Sequence, residues 1–165
     1  ELALARNRMP GRTGYYTRWV RCRVERSRCL FTSHLEPGTL LPLPIAHGEG
    51  RFTTAEPGRL EAWCEAGQVP LRYATADGAI ATAFPDAPNG AEAAAAALCN
   101  AAGNVLAMMP HPERVLELGA IARSLGGAWG VARDRALASG QGAMAPAPGL
   151  EVFRGMAHHL MQEAR

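Results

Sequence analysis

The sequence predicts an α/β domain, and three observations carry that expectation. Val20, Cys22 and Val24 alternate with Arg21, Arg23 and Glu25, the two-residue period of a half-buried strand. Residues 115–125 (VLELGAIARSL) and 152–165 repeat apolar positions at helical spacing. The 165 residues, 48% hydrophobic and 19% charged, are enough for one domain with a buried core.

The elements follow in order. Residues 1–7 (ELALARN) read as the last turns of a helix, and Pro10, Gly11 and Gly14 make 8–14 a loop. The strand over 17–25 comes next. Residues 40–46 (LLPLPIA) are apolar, but Pro42 and Pro44 confine them to a sheet edge or an extended segment. The glycines of 47–51 mark a loop. Residues 57–66 suit a short helix with Leu60, Trp63 and Cys64 on one face, and 69–73 a short strand. Pro85, Pro88 and the Asn89-Gly90 turn make 79–90 loop-like. Residues 93–99 and 105–109 read as two strands joined by a turn containing Gly103-Asn104, although the alanine run also fits a helix. Pro110 ends the second strand. The Gly-, Ala- and Pro-rich stretch then divides the chain into 1–127, a flexible segment at 128–150, and a C-terminal helix at 151–165.

Composition narrows the function. Every one of the 17 basic residues is Arg, yet the net charge is only +2, too small to imply nucleic acid. The cluster Arg6, Arg8, Arg12, Arg18, Arg21, Arg23, Arg26 and Arg28 reads as a solvated strand face plus a loop. No apolar run is long enough to cross a bilayer and no leader opens the chain, so a soluble, cytoplasmic protein is expected. Because the first residue is Glu1, the chain is expected to start inside a longer protein. Cys22, Cys29, Cys64 and Cys99 form neither C-x-x-C nor a zinc spacing, which predicts free thiols, with Cys22 and Cys99 in the core.

The densest chemical signal is Met108-Met109-Pro110-His111-Pro112-Glu113-Arg114. Pro112 pushes His111 out of the helical region. In an extended chain, residues two apart point the same way. The Glu113 carboxylate can therefore reach the His111 ring, select its tautomer and stabilise its imidazolium. Such a pair activates a nucleophile supplied by another loop. On spacing alone, a polar histidine at a strand end beside a solvated carboxylate is the favoured reading.

Further segments occur with it in order: Pro44-Ile45-Ala46-His47-Gly48-Glu49-Gly50-Arg51-Phe52, then Pro88-Asn89-Gly90, then Gly103-Asn104-Val105-Leu106. With Arg6-Asn7 and Arg18-Trp19-Val20, this set resembles the class I glutamine amidotransferases. Among them it is similar to the glutaminase subunit or domain of phosphoribosylformylglycinamidine synthase, from about Leu4 to Arg114. The resemblance implies a three-layer, flavodoxin-like sandwich around a mainly parallel sheet. It also implies a Cys-His-Glu triad that hydrolyses glutamine and passes ammonia to a synthetase. His111 would be the general base and Glu113 its orienting carboxylate. His47, Glu49 and Arg51 would lie near the site mouth or the synthetase interface; a structural turn with a Glu49–Arg51 ion pair is the plainer reading. The glutaminase would need no cofactor or metal, whereas the partner synthetase, with its small accessory subunit, would use ATP and Mg.

Two departures matter. The family's nucleophile sits in a G-x-C-x-G elbow, and no such motif exists here. The nucleophile and the first strands of the sheet are thus expected upstream of Glu1. The family's shorter glutamine-binding loop is replaced by Asn7-Arg8-Met9-Pro10-Gly11-Arg12-Thr13-Gly14-Tyr15. Two alternatives stay open: a non-catalytic relative acting as a scaffold for the synthetase, and a metal-dependent hydrolase using His34, His47 and His111 with Glu49 or Glu113.

Overall fold

The alternation of Val20, Cys22 and Val24 with arginines becomes a nine-residue strand, β2 (Tyr16–Val24), in the computed structural model, which describes residues 2–140 and 142–163. Glu1, Gln141 and the end of the predicted C-terminal helix, Ala164 and Arg165, lie outside the described residues. The apolar members of the alternation are buried and Arg21 and Arg23 are half-buried.

β2 pairs with β3 (Leu40–His47) in a long antiparallel ladder running from Tyr16↔His47 to Arg23↔Leu40. The five-stranded sheet has the order β3-β2-β5-β6-β7, with β5 at Leu71–Ala74, β6 at Ala95–Cys99 and β7 at Leu106–Met108. The expected strand pair 93–99 and 105–109 is therefore β6 and β7, preceded by a 3-10 turn at Glu92–Ala94. The pairings in this sheet are antiparallel throughout, where the resemblance implied a mainly parallel sheet.

β3 is an edge strand of that sheet, as its prolines required. Pro42 and Pro44 oppose Arg21 and Trp19 and share one parity along the strand. Their missing N–H groups cost no ladder bond, because that parity faces away from β2. The outward Pro44 carbonyl is not idle: it accepts the His111 backbone N–H at 2.8 Å. One core joins Val20, Cys22, Leu41, Leu43, Ile45 and Tyr73 of the sheet to Leu118, Ile121, Ala136 and Val152. A smaller core gathers Phe52, Leu60, Val69, Ala95 and Leu98 around α1 (Arg59–Glu65).

Three expectations are corrected. Residues 2–7 are not helical: β1 (Leu2–Ala5) pairs antiparallel with β4 (Arg51–Thr54), and Glu1 lies outside the described residues. Residues 115–125 form no α-helix. They make only a 3-10 turn at Leu118–Ala120, because the Leu118 and Gly119 amides donate to Ala145 and Ala143. The segment 128–150 is not a flexible linker. It holds α2 (Gly127–Ser139), closed by the left-handed Gly140, and then a stretch bonded back through Ala147 N–H to Leu116 O. Alanine is the best helix former, and small residues here allow close packing without an apolar stripe. α2 and α3 (Pro148–Glu163) both pack on the main core, so the boundaries at 128 and 151 divide nothing.

α3 reaches the turn after His111 through a glycine. A Cβ on Gly149 would overlap the carbonyls of Pro112 and Val115, and the Gly149 N–H already bonds Val115 O at 3.0 Å. Gly149→Ala should therefore push α3 off this turn and cost about 1–3 kcal/mol. Thermal melts should fall by several degrees, whereas Gly126→Ala, with nothing within 4 Å, should melt within about a degree of the parent. Equal melts for the two variants would refute the close approach.

Candidate active site

β7 ends at Met108, and the Met109 amide still reaches back to Ala96 O at 3.1 Å. Pro110 stops the ladder. His111 then takes φ −102° and ψ 86°, outside the helical region as the following proline demands. A 3-10 turn at Pro112–Arg114 folds Glu113 back, and its Oε1 lies 2.7 Å from His111 Nδ1. A carboxylate can only accept, so Nδ1 is the donor and Nε2 keeps the lone pair. That is the tautomer a general base needs. The pair stands at the surface, with His111 30% exposed, and Arg114 Nε lies 3.7 Å from the same carboxylate oxygen.

The second motif loop comes to the same place. His47 ends β3 three residues beyond Pro44, whose carbonyl holds His111. The charge of His111 is felt at His47, whose pKa falls below the usual histidine value, first through burial and then through that neighbour. One side chain, Asn7, organises the loop. Its Nδ2 donates to His47 O at 2.7 Å, and its Oδ1 accepts the Gly50 N–H at 3.2 Å. These two bonds fix which end of the amide is which. Asn7 Oδ1 also lies 3.0 Å from His47 Nδ1, so that nitrogen carries the proton and Nε2 the lone pair. His47 Nε2 is buried with no hydrogen-bond partner. A Cβ on Gly50 would collide with the imidazole, so glycine is required there. Asn89, fully buried, closes the other side by donating to Gly50 O at 2.6 Å.

The remaining predicted residues divide. Glu49 faces Arg6 at 3.4 Å in an exposed pair worth little. Arg51 is buried and donates Nε–H to Arg6 O at 3.1 Å, so the Glu49–Arg51 ion pair does not form. His34 lies against α3, 3.8 Å from Glu151 and stacked on His158, away from His47 and His111. Among the described residues no group of three or more His, Cys, Asp or Glu is placed to hold a metal. Sequence reading passed over Asn7, Asn89 and the Pro44 carbonyl; their only signal was their place inside the motif segments.

Burial raises all four thiols, with Cys99 reaching about 11 and Cys22 higher still. All four are free, and none bonds to His111 among the described residues. Such thiols stay protonated at neutral pH and are poor nucleophiles.

The Asn7 arrangement makes a prediction. Long-range proton–nitrogen NMR should find His47 protonated on Nδ1, titrating below about 6.5. A depressed histidine favours the fold above its unfolded pKa, so that stability should decline as the pH drops through 6.5 towards the folded value. Asn7→Ala should release the tautomer and cost about 1–3 kcal/mol. Nε2 protonation in the parent chain would overturn the assignment.

The model of the CobB/CobQ-like glutamine amidotransferase domain matches residues 2–132. Phosphoribosylformylglycinamidine synthase subunit PurQ of Thermomicrobium roseum is 52% identical over 99 residues, 60% of this chain and 41% of the relative. The same subunit of Methanothrix thermoacetophila is 34% identical over 166 residues, 96% of this chain and 58% of the relative. A chain in the PurLQS structure from Thermotoga maritima superposes with a TM-score of 0.60 at 26% identity, covering 97% of this chain and 53% of that one. The class I glutamine amidotransferase fold expected from the sequence therefore holds, and the chain spans about half the length of the proteins it matches. With Asn7, the His47 loop and the His111–Glu113 pair all inside the matched residues, this chain belongs to the CobB/CobQ-like glutamine amidotransferase family.

Proposed function

We propose that this chain carries the base half of a glutaminase that supplies ammonia to phosphoribosylformylglycinamidine synthase. The observation behind this reading is the 2.7 Å contact between His111 Nδ1 and Glu113, which leaves Nε2 bare at the end of β7. His111 Nε2 would take the proton of a cysteine thiol and return it to the departing ammonia, while Glu113 steadies the imidazolium. The cysteine would come from a G-x-C-x-G elbow outside this chain, since the four thiols here are held protonated by burial. The ammonia would serve the ATP-dependent conversion of formylglycinamide ribonucleotide to its amidine. ATP and Mg belong to the synthetase, and a small accessory subunit completes the assembly. The cytoplasm is the natural compartment for this chemistry, and no described helix is long and apolar enough to cross a membrane. The buried thiols equally suit a scaffold subunit without activity, which the following measurements separate.

The chain alone should release no ammonia from glutamine above blank. Release that a thiol alkylator abolishes would make one of the four cysteines the nucleophile and defeat the assignment. The chain should next be joined to a G-x-C-x-G segment from a relative and assembled with a synthetase. His111→Ala should then lower glutamine turnover by roughly a thousandfold or more, and Glu113→Gln by less. Synthesis from added ammonia should persist in both. Intact glutamine-dependent synthesis in His111→Ala would remove the histidine from the mechanism, and a dead enzyme with either nitrogen source would give it a folding role. An assembly that runs on ammonia but never on glutamine, with the elbow present, would favour the scaffold.

A further inference from the structure

Among the described residues two arginines are largely covered, and they are covered differently. Arg133 is 4% exposed and satisfied around its guanidinium: Nη1 donates to Ala122 O and Leu125 O, while Nε and Nη2 meet the Asp134 carboxylate at 2.9 Å. Arg51 is 8% exposed and has a single bond, from Nε to Arg6 O. Among the described residues no carboxylate oxygen lies within 4.0 Å of its guanidinium. Glu92 is the acid that attracts it, but the Glu92 carboxylate already accepts the Thr53 hydroxyl at 2.5 Å. Among the described residues Nη1 and Nη2 of Arg51 have no protein acceptor, and neither is a fully buried atom: the arm of the side chain is covered and the end of its fork is open.

The other charged neighbour has the same sign. Arg8 and Arg51 flank Gly90: a Cβ built there would lie 3.0 Å from Arg8 Cβ and 3.7 Å from Arg51 Cδ. The Arg8 backbone is anchored through its N–H to Asn89 O at 2.9 Å, and its exposed side chain makes no hydrogen bond among the described residues. Burial and the Arg8 charge together lower the pKa of Arg51, although an arginine remains charged at neutral pH. Two cations this close, neither with an ion-pair partner among the described residues, carry a repulsive cost. An anion seated between them would reverse that cost. Guanidinium groups match carboxylate and phosphate oxygens in paired, charge-assisted bonds.

We propose that Arg51 and Arg8 form a binding site for a small oxyanion, a carboxylate or a phosphate, taken by both guanidiniums at once. Gly90 keeps the gap between them free of a side chain, and the Asn89 bonds to Arg8 N–H and Gly50 O hold the two arginine-bearing segments in register. The site uses neither His111 nor Glu113 and does not rest on the glutaminase reading.

Calorimetry on this chain, with inorganic phosphate and L-glutamate titrated separately at constant ionic strength in chloride, tests it. Saturable binding of one of them is expected. Binding of phosphate alone identifies a phosphate site, and binding of glutamate identifies an amino-acid carboxylate site. Arg8→Met should weaken that binding by about tenfold or more, the scale of one lost charge-assisted bond, and Arg8→Lys should restore part of it. Arg51→Lys should weaken it as well, since it keeps the charge but loses the fork. Arg8 is exposed, so its variants should melt like the parent even if Arg51 variants unfold. No saturable heat for either anion, or unchanged affinity in Arg8→Met, would overturn the proposal.

Discussion

The bond from the His111 amide to the Pro44 carbonyl is the constraint on which the site depends. Its acceptor is the carbonyl of a residue that has no N–H of its own. A different residue at position 44 would offer a donor beside that carbonyl, on the outer edge of β3, where another strand could pair. Proline removes the donor and leaves the acceptor, so the edge takes up a single outside amide. One residue thus closes the edge against sheet extension and fixes the backbone that carries the candidate base.

Beyond that bond, the site is built from amides. Asn7 and Asn89 reach the His47 loop from opposite sides and meet at Gly50, one through its N–H and the other through its carbonyl. Neutral amides can hold a loop rigid without adding charge near an imidazole that must remain uncharged to accept a proton. The exposed charges of the region, Arg6, Arg8 and Glu49, sit at the margin of this framework. What holds the His47 loop is neutral, whereas His111 is oriented by a charge, the Glu113 carboxylate.

Much of this was legible in the residues. The period of Val20, Cys22 and Val24 gave β2, the prolines of β3 gave an edge, and Pro112 gave a non-helical His111, because each rule is local; the contact with Glu113 forms, but through the 3-10 turn at Pro112–Arg114 and not through the extended chain expected. What escaped was non-local or featureless. The buried residues of α2 are Gly130, Arg133 and Ala136, so its covered side carries no apolar stripe to read. The 115–125 spacing looked helical, yet its amides find partners near residue 145. Asn7 earns its role through atoms some forty residues away, and no local pattern announces such a partner.

The contact of Gly149 with the Pro112 turn has a temporal side. A chain made from its N-terminus exposes His111 and Glu113 well before Gly149 exists. Until α3 has emerged and docked, the turn beneath the candidate base is held by β3 but lacks the contact with Gly149. The sheet can form earlier, since its five strands end at Met108. The site is thus assembled in the order scaffold, turn, backing, and a nascent chain passes through a stage that has the fold of the sheet but not the geometry of the base.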